Sequence, residues 1–248
     1  MPEQAIEIRG LVKTFGSFTA VDGIDVDVPR GQVFGFLGPN GSGKTTTIRM
    51  LTGSIVPTAG QARVLGVDVI AHPERVRARI GYMSQKFSLF EDLTVAENLR
   101  FYAQIHGLGK EEFAERRSWI LRMAGLTGRE DELARNLSVG WRQRLSLGTA
   151  TIHSPELLFL DEPTSGVDPV ARRQFWELLY ELAEQGITLF VTTHYMDEAT
   201  HCNRLAFVYG GKLIAQGTPA ELRDTFGPGA TLEDVFVGLE EQSRTAES

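Results

Sequence analysis

Eight consecutive residues, Gly38-Pro39-Asn40-Gly41-Ser42-Gly43-Lys44-Thr45, carry the sharpest chemical signal in this chain. Their spacing is that of a phosphate-binding loop. Glycines let the backbone turn so that successive N–H groups point inward, and a helix starting at the loop's end adds the positive potential of its N-terminus. Lys44 is then placed to neutralise the β- and γ-phosphates of a nucleotide, and the Thr45 hydroxyl to bind Mg²⁺. The cradle is expected to run on through Thr46. A second pair of chemically capable residues, Asp161-Glu162, ends the apolar run Leu157-Leu158-Phe159-Leu160. Asp161 would hold Mg²⁺ through water, and Glu162 would polarise an attacking water. Alone, such a run is also simply a strand entering a solvated loop; the phosphate loop is what gives it a partner.

Both motifs need a sheet to hold them. Val33-Phe34-Gly35-Phe36-Leu37, just before the loop, is apolar on both faces, as a central parallel strand must be. Ile24, Val26 and Val28 alternate with Asp25 and Asp27, the period of a half-buried strand. Further strands are expected at Arg63–Val69, Ile80–Met83 and Ile187–Thr193, and a hairpin at Leu205–Ala215 turning on Gly210-Gly211. Thr94-Val95-Ala96-Glu97 reads as a capping box, followed by apolar residues at helical spacing. Asp168-Pro169 opens another helix, with Asp as N-cap and Pro in the first turn, and Gly186 closes it. The fold class is α/β: a mostly parallel sheet flanked by helices, with an N-terminal antiparallel β region and a helical insert. The expected division is a β-containing core over about 1–86 and 141–220, a helical part over about 87–140, a C-terminal helix at about 231–241 and a frayed tail at 242–248.

Composition narrows the function classes. The 248 residues are 42% hydrophobic and 23% charged, ordinary for a globular protein. One cysteine, Cys202, excludes an internal disulfide framework and fits a reducing compartment. Lys and Arg number 25 against 32 Asp and Glu, a formal charge of −7, which argues against nucleic acid as the main partner. No apolar run approaches the roughly 20 residues of a membrane-spanning helix. The start, Met1-Pro2-Glu3-Gln4, lacks the charged and apolar stretches of a secretory signal, so the chain is expected in the cytoplasm.

Five motifs in order resemble those of ATP-binding cassette (ABC) ATPases, a branch of the P-loop NTPases. They are the phosphate loop, Gln85, Leu137-Ser138-Val139-Gly140-Trp141-Arg142-Gln143-Arg144, Asp161-Glu162 with Ser165-Gly166-Val167-Asp168, and His194. The resemblance spans nearly the whole chain, from about Ile6 to the last helix. It implies ATP and Mg²⁺ as ligands, with Thr45, Gln85 and Asp161 toward the metal and Glu162, Gln85 and His194 in catalysis. Phe15 is implied as the aromatic that stacks on adenine, ahead of Phe18, although an aromatic there also serves a core. His72, His106, His153 and His201 match no motif.

One segment departs from the family's form: Val139 and Trp141 stand where Gly and Gln are usual. Ser138 can still cap a helix and offer its hydroxyl to a phosphate, and Gly140 still permits close backbone approach. Val139 cannot readily take positive φ, and Trp141 offers one donor and no acceptor. Trp141 is expected to pack along the ribose or the facing subunit. In the family, the serine of this segment completes the site of a second cassette, so the resemblance implies a head-to-tail homodimer with Asp168 between the two sites. It also implies integral-membrane permease subunits, with the Phe87–Leu93 segment as docking surface unless its apolar residues belong to the insert's core. The chain would then sit peripherally on the cytoplasmic face of the membrane. Thr231–Phe236 and Asp161–Pro169 resemble bacterial ABC-2-type exporters of drugs and polysaccharides, which points to export of drugs or other amphiphiles. The alternatives are a soluble cassette ATPase acting on ribosome or DNA, and a non-catalytic nucleotide-binding regulator.

Overall fold

In the computed structural model, which describes residues 3–227 and 229–246, strands and helices alternate around two sheets. The first half runs β1 (Gln4–Phe15), β2 (Phe18–Pro29), β3 (Val33–Leu37), α1 (Lys44–Leu51), β4 (Ala59–Val64), β5 (Val67–Asp68), α2 (Pro73–Arg77) and β6 (Ile80–Met83). Then come α3 (Val95–Ile105), α4 (Lys110–Met123), α5 (Val139–Thr151), β7 (Leu157–Asp161), α6 (Pro169–Glu184) and β8 (Thr188–Thr193). The chain closes with β9 (Arg204–Tyr209), β10 (Lys212–Gly217), α7 (Pro219–Asp224) and α8 (Leu232–Ala246).

The alternation read in β2 holds: Ile24, Val26 and Val28 are buried while Asp25 and Asp27 face solvent. This strand joins an antiparallel sheet in the order β2-β1-β4-β5. The second sheet has the order β10-β9-β3-β8-β7-β6, parallel except for the β9–β10 hairpin at its edge. β3 and β7 are buried at every position, as strands covered on both faces must be. Between the sheets lies an aromatic core in which Phe34, Phe36 and Phe159 each pack on Phe190 at centroid distances of 5.3–5.6 Å. Burying each such ring contributes about 1.5–3 kcal/mol. On the opposite face, α6 supplies Phe175, Trp176 and Leu179, and α8 supplies Val235 and Phe236.

The helical insert has its own core, built by Val95 and Leu99 of α3, Ile120 and Leu121 of α4, and Leu145 of α5. The capping box expected at Thr94 and Glu97 is complete in both directions. Asp168 caps α6 by accepting the N–H groups of Val170 and Ala171, each at 3.0 Å. Two features differ from the sequence reading. α8 continues through Ala246, so residues 242–246 are helical rather than a frayed tail, and 247–248 lie outside the described residues. The short helices α2 and α7 are additional to the elements expected from the sequence; α7 carries a second capping box at Thr218 and Glu221.

The order of the strands brings the two motifs together. β3 delivers the phosphate loop and β7 delivers Asp161-Glu162, and β8 lies between them. All three strands run the same way, so their carboxyl ends open on one edge of the sheet, where α/β folds bind ligands.

Candidate active site

The loop from Gly38 to Gly43 leaves the end of β3 and feeds directly into α1. Gly43 has φ 99°, and a Cβ there would meet Ala20 O at 2.4 Å. At Gly38 a Cβ would meet Val208 O at 2.1 Å. Both positions therefore require glycine. Ser42 contributes a buried hydroxyl with no hydrogen-bond partner of its own. The cradle borders a cleft of about 360 Å³, whose lining includes Asn40, Gly41, Lys44, Thr46, Gln85 and Glu162.

Lys44 is almost completely buried, yet its ammonium is fully satisfied. It donates to Gly38 O at 2.8 Å and Pro39 O at 3.0 Å, and lies 3.1 Å from Glu162 Oε1. These three acceptors match its three protons. The other Glu162 oxygen, Oε2, accepts from Gln85 Nε2 at 3.2 Å and from His194 Nδ1 at 3.1 Å. The three residues named for catalysis thus meet at one carboxylate. Glu162 is only 7% exposed, and its φ of 48° is in the left-handed region that a glutamate rarely adopts. This turn takes the chain out of β7 just where the side chain reaches Lys44.

Asp161 Oδ1 accepts from the Thr45 hydroxyl at 3.1 Å. With Gln85 Nε2 committed to Glu162, the Gln85 amide oxygen is the atom left for a metal. Thr45 hydroxyl, Asp161 carboxylate and Gln85 carbonyl are hard oxygen donors, which fits Mg²⁺. The glycine-lined cradle, the orphaned Ser42 hydroxyl and the Lys44 ammonium fit a polyphosphate.

Of the two aromatics, Phe18 is the one that borders this cleft. Phe18 lines it together with Ala20, and is 61% exposed. Phe15 is Phe18's cross-strand partner across a two-residue turn, and Lys13 Nζ lies 5.0 Å from its ring centroid. Ser138, Gly140 and Asp168 stand apart from this cleft. Ser138 occupies the N-cap of α5 but makes no side-chain cap bond, so its exposed hydroxyl is not consumed by its own helix. Gly140 packs against Ala171, bringing the start of α5 beside the helix that Asp168 caps. Val139 begins α5 and is not among the residues at positive φ, so its branched side chain carries no strain.

Trp141 has partners within its own chain. Its ring centroid lies 4.6 Å from the Arg129 guanidinium and 5.1 Å from that of Arg144, and the ring packs against the core of the helical insert. This is packing within the chain. A short hydrogen bond from Gln143 Nε2 to Pro163 O ties α5 to the segment after Glu162.

Four neighbours of the site went unnoticed in the sequence. Thr192, on β8, bonds both to Asp161 and to the Glu162 amide. Tyr82 lies beside Asp161, and burial followed by that carboxylate pushes its phenol up to about 12. Tyr195 packs on His194 at 4.1 Å, and the Arg172 guanidinium lies 4.2 Å from the Tyr195 ring centroid. Each sits one to four residues from a recognised motif, and that proximity is the available signal.

The sequence model of the family described as "ABC transporter" matches residues 21–165. The chain is 46% identical over 241 residues to the probable multidrug ABC transporter ATP-binding protein YbhF of Escherichia coli (strain K12), covering 96% of this chain and 42% of that protein. It is 43% identical over 227 residues to the daunorubicin/doxorubicin resistance ATP-binding protein DrrA of Streptomyces peucetius, covering 91% of this chain and 69% of that one. Among solved structures, an ATP-binding subunit of an ABC transporter superposes with a TM-score of 0.85 at 29% identity, over 95% of this chain and 99% of that one. cbiO1 from Clostridium perfringens, part of the cbiONQ transporter complex, gives 0.83 at 26% identity, over 99% and 100%. The chain thus spans less than half the length of the YbhF relative it matches.

Proposed function

The chain belongs to the ABC transporter family, and on that footing we propose that it binds and hydrolyses ATP to power a membrane transporter. The observation that carries this reading is the convergence of Lys44, Gln85 and His194 on Glu162 at the mouth of the phosphate loop. When a triphosphate enters, the Lys44 ammonium exchanges Glu162 for phosphate oxygens. Glu162 is thereby released to accept a proton from water, while Gln85 and His194 keep its carboxylate oriented. Bound Mg²⁺, held by Thr45 and by Asp161 through water, would neutralise charge on the β- and γ-phosphates. Loop N–H groups and the Lys44 ammonium would stabilise the charge that develops on the γ-phosphate, with His194 Nδ1 remaining on Glu162 Oε2.

Two copies would complete two sites head to tail. Support comes from Ser138, whose hydroxyl is exposed and unspent at the N-terminus of α5, close to the segment carrying Asp168. Nucleotide would then be part of the interface, and closure would follow occupancy.

For the permease surface, the apolar weight is smaller than the sequence indicated. Phe87 and Leu89 pack against the core clusters, whereas Phe90 stays 45% exposed and stacks edge-on against Phe101 at 4.4 Å. Docking of a permease's cytoplasmic segment is assigned to this Phe90 edge, which would hold the chain on the cytoplasmic face of the membrane. Among the described residues, no helix is long and apolar enough to cross a membrane. The names of the multidrug and daunorubicin/doxorubicin relatives support export of drugs or other amphiphiles as the transported class. A mild-detergent pull-down from native membranes tests the reading: a multi-span subunit should co-purify, and recovery with ribosomes instead would overturn it.

A further inference from the structure

Thr192 stands directly across from Asp161 in the parallel β7–β8 register and is fully buried. Its hydroxyl donates to Asp161 Oδ1 at 2.7 Å and accepts the Glu162 N–H at 3.0 Å. The same N–H also reaches Thr192 O at 3.1 Å. A hydroxyl has a single proton, and the charged carboxylate at 2.7 Å is a stronger acceptor than the Leu160 carbonyl at 3.5 Å. One side chain therefore touches both acidic residues, in two different ways.

For Asp161, Oδ1 is clamped between the Thr192 hydroxyl on one side and the Thr45 hydroxyl, at 3.1 Å, on the other. Two donors on one oxygen fix the carboxylate plane, and with it the direction that Asp161 presents to a metal held by Thr45. For Glu162, the grip is on the backbone. Its N–H is shared by two oxygens of Thr192, and this holds the φ 48° turn that carries the side chain to Lys44, Gln85 and His194. A left-handed conformation outside glycine persists only when its surroundings over-determine it. Here Thr192 grips the N–H side of the turn, while Ser165 N–H bonds to Glu162 O at 3.1 Å on the other.

We propose that Thr192 is a positioning residue for the nucleotide chemistry, aligning Asp161 toward the metal and holding the backbone turn that aims Glu162. This rests on the nucleotide-binding and hydrolytic reading given above. Thr192→Val removes the hydroxyl and keeps the branched shape that suits a strand, whereas Thr192→Ser keeps the hydroxyl. The whole chain is titrated calorimetrically with ADP, with Mg²⁺ and then in EDTA, and phosphate release from Mg-ATP gives kcat and KM.

In Thr192→Val, metal-free ADP affinity should stay within about two-fold, most of the Mg²⁺-dependent gain should disappear, and kcat should fall about ten-fold or more with a smaller change in KM. Thr192→Ser should recover both. A Thr192→Val protein with an unchanged metal-dependent gain and unchanged kcat overturns the proposal, as does a Thr192→Ser protein impaired as deeply as Thr192→Val. Should Thr192→Val not fold, Thr192→Ala against Thr192→Ser makes the same comparison of hydroxyl present and absent. A wild-type chain that binds nucleotide without turnover overturns the hydrolytic reading alone, and the calorimetric comparison still decides the role of Thr192.

Discussion

Replacing Glu162 by Gln should stop turnover and strengthen nucleotide binding at once. Lys44 spends its three protons on Gly38 O, Pro39 O and Glu162 Oε1, so a phosphate must displace the last of these. A hydrogen bond between charged groups contributes about 1.5–3 kcal/mol, and its loss opposes nucleotide entry in the wild type. The glutamine amide carries no charge. It also faces Lys44 on one side and the donors of Gln85 and His194 on the other, so either orientation sets an N–H against another donor. The competing contact is weakened, and affinity for a nucleotide should rise about ten-fold, since each 1.4 kcal/mol is a factor of ten. Loss of the base should lower hydrolysis about 10²–10⁴-fold. Calorimetry with ADP and a non-hydrolysable ATP analogue reads the first effect, and phosphate release at saturating ATP the second. Weaker binding by Glu162→Gln would refute the competition argument; turnover near the wild-type rate would refute Glu162 as the base.

Three other outcomes follow from the geometry. Phe18→Ala should weaken adenine nucleotide binding about ten-fold, in line with the loss of one base–aromatic stack, while Phe15→Ala should leave calorimetric affinity nearly unchanged. Trp141→Ala should lower stability by about 1–3 kcal/mol in urea melts, through lost packing and two lost cation–π contacts, with single-chain nucleotide affinity intact. His153, whose Nε2 bonds to Ile80 O, is held down to about 4 by burial and then by the stacked His106 ring, with Arg116 adding a smaller push. The unfolded chain takes up that proton near pH 6.5 and the folded chain does not, so stability should be lost as pH falls from 6.5 through 4, by up to about 3 kcal/mol. His153→Phe should flatten that part of the urea-melt profile, and an unchanged slope would contradict the assignment.

The parts of the site that were legible in the sequence are those encoded by residue type at fixed local spacing. The Gly38–Thr45 loop, the Thr94 and Asp168 caps and the strand ending in Asp161-Glu162 all declare themselves within a few residues. What stayed hidden depends on pairings far apart in the chain. β8 lies between β3 and β7 although β7 precedes it, and only that order places Thr192 against Asp161. Phe15 and Phe18 are indistinguishable in type and nearly so in position, and the turn between them decides which one lines the cleft. The contact of Trp141 with Arg129 is equally non-local, because Arg129 comes from outside the segment that contains Trp141. Lys44 and Glu162 each have a role legible in their motifs, but their contact of 3.1 Å is a property of the folded chain.

The most direct test of the account is uptake of Mg-ATP by folded chain, measured by titration calorimetry in the wild type and in Lys44→Ala, with circular dichroism confirming that both are folded. The account predicts saturable binding by the wild type and none measurable by Lys44→Ala. Folded wild-type chain that takes up no nucleotide, or Lys44→Ala that binds as tightly as the wild type, would contradict it.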